Sequence, residues 1–130
     1  GESKNNLIEQ VSRLKLKDKV IFPGFETNPF KWMKNASLFV LSSDYEGLPG
    51  TLIQAMACGT PVVSTNCQSG PKEILENGKW GRLTPVGDVR LFAKAMVDTL
   101  AEKKHPDVKQ RAQYFNVTNG VNGYLKVLDL

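Results

Sequence analysis

Two short segments concentrate the residue types that can do chemistry. Residues 42–51 read SSDYEGLPGT, and residues 66–73 read NCQSGPKE. In the first, Gly47 and Gly50 carry no Cβ, so a ligand can approach the main chain closely. The helix expected to begin near Pro49 offers unpaired N–H groups and a positive dipole end, which suits a phosphate or a sugar oxygen. Glu46 stands just before it as an acceptor for hydroxyl groups. Gln54 lies one helical turn beyond Gly50 and three residues beyond Thr51, so these share a face, and Glu46 and Gln54 can look into one crevice. Leu52, Ile53, Met56 and Ala57 are then free to face the core. From spacing alone the plainer reading is a loop acid near a helix dipole for Glu46, worth a few tenths to about 1 kcal/mol, and an exposed helix glutamine for Gln54.

In the second segment Glu73 reads as an acid answering a helix N-terminus. Ser69 and Gly70 form either a backbone nest for a ligand oxygen or an ordinary helix entry. Trp32 and Trp80 read as packing aromatics. Cys58 and Cys67 form no CxxC pair and have no nearby histidine, so reduced thiols of a cytoplasmic protein are expected and a zinc site is not. His105, the single histidine, sits in the polar run EKKHPD as a solvated loop residue. No metal-ligand cluster appears.

The 130 residues argue for one domain, residues 1–130, and 41% hydrophobic content with 11 Gly and 7 Pro excludes collagen-like, coiled-coil and disordered chains. A run of about 18 apolar residues is absent, so a spanning helix is not expected. Gly1–Asn6 lacks the apolar region of a signal peptide. The net charge is +4, its positive residues scattered among acids. The densest group, Arg13, Lys15, Lys17 and Lys19, reads as a solvated helix end. Without interleaved aromatics or a recognised module, nucleic acid is not an expected partner. A weak pull towards anionic ligands or an anionic membrane surface remains.

The elements that must position these residues alternate. Apolar spacing predicts a helix over 4–14, with Leu7, Ile8, Val11 and Leu14 on one face. Strands are expected at Val20–Phe22, Leu38–Ser42, Pro61–Thr65 and Gly81–Thr84. Between and after them come helices from Asn28-Pro29 to Met33, Pro49 to Cys58 with Gly59 closing it, and Pro71 to Leu75. Asn77-Gly78 is a turn. Asp88 is expected to cap a helix bearing Leu91, Phe92, Ala95, Met96 and Leu100, and Asp107 another through Tyr114. A last helix spans 117–128 with Val121, Tyr124, Leu125 and Leu128 as its stripe. Strand–helix alternation means a parallel sheet with helices on both faces, an α/β doubly wound, Rossmann-like fold with about four strands. Ligands of such sheets bind at the carboxyl ends of the strands, where both chemistry-bearing segments fall.

The stretch EGLPGTLIQAMACGTPVVSTNCQSGPKEILENGKWGRLTPVGD, residues 46–88, resembles the C-terminal nucleotide-sugar domain of retaining GT-B glycosyltransferases, glycosyltransferase family 4 being the closest group. The likeness runs from about Val20 through Leu100. Its marks are an acid, seven residues, a second acid, then small residues and GxPVV; the SGPKEI segment resembles transferases that build lipopolysaccharide, capsule or glycan-lipid intermediates. The resemblance implies that Glu46 contacts the hydroxyls of the donor sugar and is the catalytic position. It implies that Gly47, Leu48, Pro49, Gly50 and Thr51 form the turn whose amides meet sugar and diphosphate, and that position 54 binds the ribose. It further implies a nucleotide diphosphate sugar donor, with UDP the expected nucleotide, and a saccharide or lipid-linked acceptor. No cofactor or metal is implied, and the location is cytoplasmic, with possible contact at the inner membrane face. The sequence departs from the pattern at Gln54, where the family has an acid. The family's preceding Arg- and Lys-bearing strand and its acceptor domain are absent. A non-catalytic nucleotide-sugar-binding module and a nucleotide-sugar epimerase of the same fold are the alternatives.

Overall fold

The structure is a computed structural model and describes residues 3–127. Three parallel strands, β1 (Phe39–Leu41), β2 (Val62–Thr65) and β3 (Arg82–Thr84), form a sheet in the order β1-β2-β3. Phe39 stands opposite Val62, Leu41 opposite Ser64, Val63 opposite Arg82 and Thr65 opposite Thr84. All four β2 residues are buried, as expected of a central parallel strand covered on both faces.

Among the described residues seven helices accompany the sheet: α1 (Lys4–Arg13), α2 (Phe30–Asn35), α3 (Gly50–Ala57), α4 (Pro71–Ile74), α5 (Val89–Ala101), α6 (Val108–Ala112) and α7 (Val117–Val127). Because side chains alternate along a strand, Phe39, Leu41, Val62 and Leu83 point to one face. There they meet Leu52, Ala55 and Met56 of α3, Ile74 of α4, Leu75, and Val108 and Ala112 of α6, with Met33 of α2 at the margin. Leu52, Met56, Ile74 and Leu75 are wholly buried, and each such side chain contributes roughly 1.5–3 kcal/mol relative to exposure. Thr60 Oγ1 donates to Met33 O at 2.5 Å and ties α2 to the chain entering β2. At Gly81 a Cβ would stand 2.6 Å from Val62 Cγ2 and 2.7 Å from Val62 O, so β3 can begin beside β2 only with glycine there. The opposite face carries Val63 and Arg82, and α5 lies on it: Arg82 Nε donates to Thr99 Oγ1 at 3.1 Å.

The expected helix signals work where they are local. Asp88 accepts from Leu91 N at 2.9 Å and Asp107 from Gln110 N at 3.4 Å. Pro71 opens α4, and Gly59, at φ 83°, follows α3. Pro29 precedes α2, one residue later than the expected Asn28 cap. Residues 76–78 wind as a short 3-10 turn with Asn77 at φ 57°.

Five expectations are corrected. Val20–Phe22 is not a strand: the sheet has three strands among the described residues, and Ile21 and Phe22 are exposed. An apolar run becomes a strand only beside a strand that can pair with it, and among the described residues β1 pairs with β2 alone. Helix α1 forms by its local hydrogen bonds but buries no residue, Leu7, Ile8 and Leu14 all being exposed. On α5 the buried positions are Ala95 and Thr99, while Leu91 and Leu100 stay outside. In α6 the helix stops at Ala112 rather than Tyr114. Val121 and Leu125 of α7 are exposed; Leu128 and the side chain of Tyr124 lie outside the described residues. Among the described residues no helix is long and apolar enough to cross a membrane.

Candidate functional site

Parallel pairing of β1 with β2 makes the loops that follow them leave the same edge of the sheet. Pairing continues past the strands through an isolated parallel bridge between Tyr45 and Gln68, which holds the two loops side by side. Thr65 Oγ1 donates to Ser43 O at 2.5 Å, fixing the start of the first loop to the end of β2. Ser43 Oγ in turn donates to Glu46 Oε1 at 2.7 Å. Glu46 is half-buried, so this charge-assisted bond is partly shielded from water. The carboxylate is thereby oriented from the strand end outward, by a chain of two hydroxyls.

Beyond Glu46 the chain turns through Gly47 and Leu48 into α3. Pro49 is buried and precedes the helix at φ −71°, ψ 94°, and no side chain caps the first turn. A Cβ at Gly47 or Gly50 would meet nothing within 4 Å, so neither glycine is demanded by internal packing. Both leave room for a ligand above the main chain. Gly50, Thr51 and Gln54 share the exposed face of α3, as their spacing requires. Gln54 makes no side-chain hydrogen bond among the described residues, and Glu46 is held by Ser43 instead. Leu48 is exposed. The core face of α3 is Leu52, Ala55 and Met56, with Ile53 half-buried; Ala57 is exposed, against expectation, because the helix phase turns it away from the sheet.

The second loop is built into the first. Ser69 and Gly70 both have positive φ, 66° and 76°, and Gly70 packs flat against the first loop. A Cβ on Gly70 would collide with Gly47 O and Pro49 Cδ. Glu73 sits in the first turn of α4 with its side chain exposed. Trp80 is a half-buried packing aromatic whose Nε1 donates to Glu76 Oε2 at 2.8 Å. That bond, with Lys79 and Arg111 beside it, holds the Glu76 carboxyl below its ordinary value of 4.5. Trp32 is half-exposed.

A crevice of about 340 Å³ opens at the same rim, lined by Ser42, Asp44, Thr65, Pro85, Asp88 and Phe92 among others. Chain from beyond β1 and β3 borders it together with Thr65, the last residue of β2, and Glu46 lies two residues past Asp44 on its wall loop. The roles of Ser43 and Thr65 escaped sequence reading: Thr65 acts through a contact across the sheet edge, whereas the serine three residues before the acid was a local signal. Cys58 is half-buried, Cys67 is buried, and neither is in a disulfide. His105 is not a freely solvated loop residue: it is half-buried, its Nδ1 3.3 Å from Glu102 Oε2, in a hollow with Pro61, Gly81 and Arg82. Those residues mark the amino ends of β2 and β3, the far end of the sheet from Glu46. Among the described residues no group of three or more His, Cys, Asp or Glu side chains is placed to hold a metal ion.

Residues 1–102 match the family described as Glycosyl transferases group 1. The chain is 29% identical over 133 aligned positions to the Campylobacter jejuni N-acetylgalactosamine-N,N'-diacetylbacillosaminyl-diphospho-undecaprenol 4-alpha-N-acetylgalactosaminyltransferase, covering 98% of this chain and 36% of that protein. Its fold is similar to the apo form of the lipopolysaccharide outer core galactosyltransferase WaaB, with TM-score 0.83 and 23% identity over 99% of this chain and 38% of that one. It is also similar to Anabaena Alr3699/HepE in complex with UDP, with TM-score 0.79 and 27% identity over 97% of this chain and 36% of that one. The chain thus spans little more than a third of the length of these proteins. The fold is the Rossmann-like parallel α/β arrangement of GT-B glycosyltransferases.

Proposed function

The chain belongs to the group 1 glycosyl transferases, and we propose that it supplies the donor-binding part of an enzyme that moves a hexose from a UDP-sugar to a saccharide or lipid-linked acceptor, retaining the anomeric configuration. The observation that carries this reading is the joined rim: the Tyr45–Gln68 bridge sets two loops together, and Ser43 presents the Glu46 carboxylate at the open start of α3. In this reading Glu46 accepts from hydroxyls of the donor sugar. The amides of Gly47, Leu48 and Gly50, with Thr51 beside them, face the sugar and diphosphate. Pro49 has no amide hydrogen and serves by fixing the turn. Diphosphate charge is met by oriented main-chain dipoles, which need no reorganisation as charge develops. Gln54 accepts from the ribose through its amide oxygen. The Campylobacter relative is named for an undecaprenol-linked acceptor and the Anabaena neighbour holds UDP, and both support the substrate classes chosen. The setting consistent with such acceptors is the cytoplasmic face of a membrane.

Calorimetric titration of the full-length protein with UDP, UDP-sugars and GDP-sugars tests the reading. A UDP-sugar is expected to bind more tightly than UDP, and Glu46→Ala to erase that difference while the thermal midpoint stays unchanged. Absence of binding by every nucleotide sugar, or full sugar-dependent affinity in Glu46→Ala, would refute it.

A further inference from the structure

Helix α4 has four residues, far below the roughly 12–15 at which a helix holds itself in water. Its placement is therefore set by what grips its ends. The C-terminal end is gripped by one buried side chain, Arg111 of α6, which is only 9% exposed. Arg111 Nε donates to Ile74 O at 2.8 Å and Nη2 to Glu73 O at 2.9 Å, taking up carbonyls that the end of a helix leaves open. Nη1 lies 3.0 Å from Glu76 Oε1. The guanidinium carbon stands 4.8 Å from the ring centres of both Tyr114 and Phe115, so the planar group is held by two aromatics as well as by its bonds.

The other end of α4 is Gly70, which rests on Gly47 O and Pro49 Cδ with no room for a side chain between. Main chain touches main chain there, so a shift of α4 passes directly to the loop that carries Glu46. Between Arg111 and Gly47 stands one helical turn, stiffened by Ile74 N bonding Gly70 O and Leu75 N bonding Pro71 O, each at 2.9 Å. We propose that Arg111 is a positioning residue for the Glu46–Gly50 loop, acting through α4 as a strut. A single cation whose backbone contacts lie 37 and 38 residues away in sequence thus sets the height of the donor loop over the sheet. The proposal deepens the donor-loop reading above and rests on it.

Hydrogen exchange on the full-length protein separates this role from plain stability. The reporters are the amides of Leu52 and Ile53, which bond Pro49 O at the start of α3. The variants are Arg111→Met, Arg111→Lys, and Val63→Ala as a control whose cavity lies on the α5 face. Compared at equal distance below their thermal midpoints, Arg111→Met should speed exchange at Leu52 and Ile53 about tenfold relative to Val63→Ala, and raise the Kd for UDP-sugar about tenfold. Arg111→Lys should fall between, because lysine keeps the charge but not the planar fork; it also carries the test should the methionine variant not fold. Equal exchange in Arg111 variants and control would overturn the proposal. Faster exchange with unchanged nucleotide-sugar affinity would uphold the strut and overturn the donor-loop reading.

Discussion

Replacing Ser43 with alanine removes one atom from the rim and nothing from the core. Ser43 Oγ is the group that holds Glu46, at 2.7 Å, and its own main chain stays fixed by Thr65 at 2.5 Å. The perturbation therefore frees the carboxylate without freeing the loop. Hydrogen bonds to charged groups contribute roughly 1.5–3 kcal/mol when buried. Glu46 is half-buried and water can replace part of the bond, so the lower end, about 1.5 kcal/mol, is the appropriate figure. If that orientation serves the transferring sugar, kcat/KM for the donor should fall about tenfold, since about 1.4 kcal/mol corresponds to a factor of ten. Ser43→Thr keeps the hydroxyl and should restore most of the rate. The assay is steady-state transfer by the intact enzyme with the nucleotide-sugar concentration varied, alongside thermal midpoints of all three proteins. The reasoning is refuted by an alanine variant of normal kcat/KM, or by one whose loss tracks a lowered midpoint and is not rescued by threonine.

Three further outcomes are expected. Gln54→Glu restores a charged acceptor on the exposed face of α3 and should tighten UDP binding by up to about tenfold, near 1.4 kcal/mol, with little change in stability; unchanged or weaker binding in calorimetry counts against a ribose contact. Gly70→Ala forces a side chain into φ 76° and onto Gly47 O, so urea unfolding should show a loss of at least about 2 kcal/mol, the left-handed backbone alone costing about 1–2; a neutral result would mean the two loops are not packed as described. Acid should weaken the fold as pH falls below 4.5, the ordinary value from which Glu76 is lowered by Trp80 first, then Lys79 and Arg111. A depressed carboxyl stabilises above its unfolded value and loses that contribution as pH drops through its folded one. Thermal midpoints from pH 7 to 3 should therefore fall less steeply below 4.5 in Glu76→Gln, and equal slopes would remove Glu76 from the account.

What was legible in the sequence is what neighbours in sequence decide. Asp88 and Asp107 cap helices because an aspartate reaches amides three residues on, and Pro71 and Gly59 mark ends through their own backbone angles. The loop and helix that carry the proposed site were legible for a related reason, since Glu46, Gly47 and Gly50 lie within five residues and the helix they introduce is local. Val20–Phe22 was misread because strand formation is decided by a partner elsewhere, and Ala57 because one residue of helix phase separates the buried Met56 from an exposed neighbour. Thr65 and Arg111 carry no local mark of their roles: Thr65 reaches back 22 residues to Ser43, and Arg111 reaches 37 to Ile74. Long bonds of this kind appear only once the sheet has brought its loops to one edge.

Among the described residues strand β1 pairs with β2 alone, and its residues Phe39, Val40 and Leu41 include no lysine or proline to discourage a stranger. Val40 is 39% exposed and faces away from the core cluster. An open row of main-chain donors and acceptors beside apolar side chains is a template for another extended chain. Refolding of these residues from denaturant then becomes a race between closure within one molecule, which is independent of concentration, and pairing between molecules, which rises with it. Dilution favours the monomer and crowding on a column or in a pellet favours the clump. How these 130 residues behave by themselves is thus governed by the same unpaired edge that bounds the described sheet.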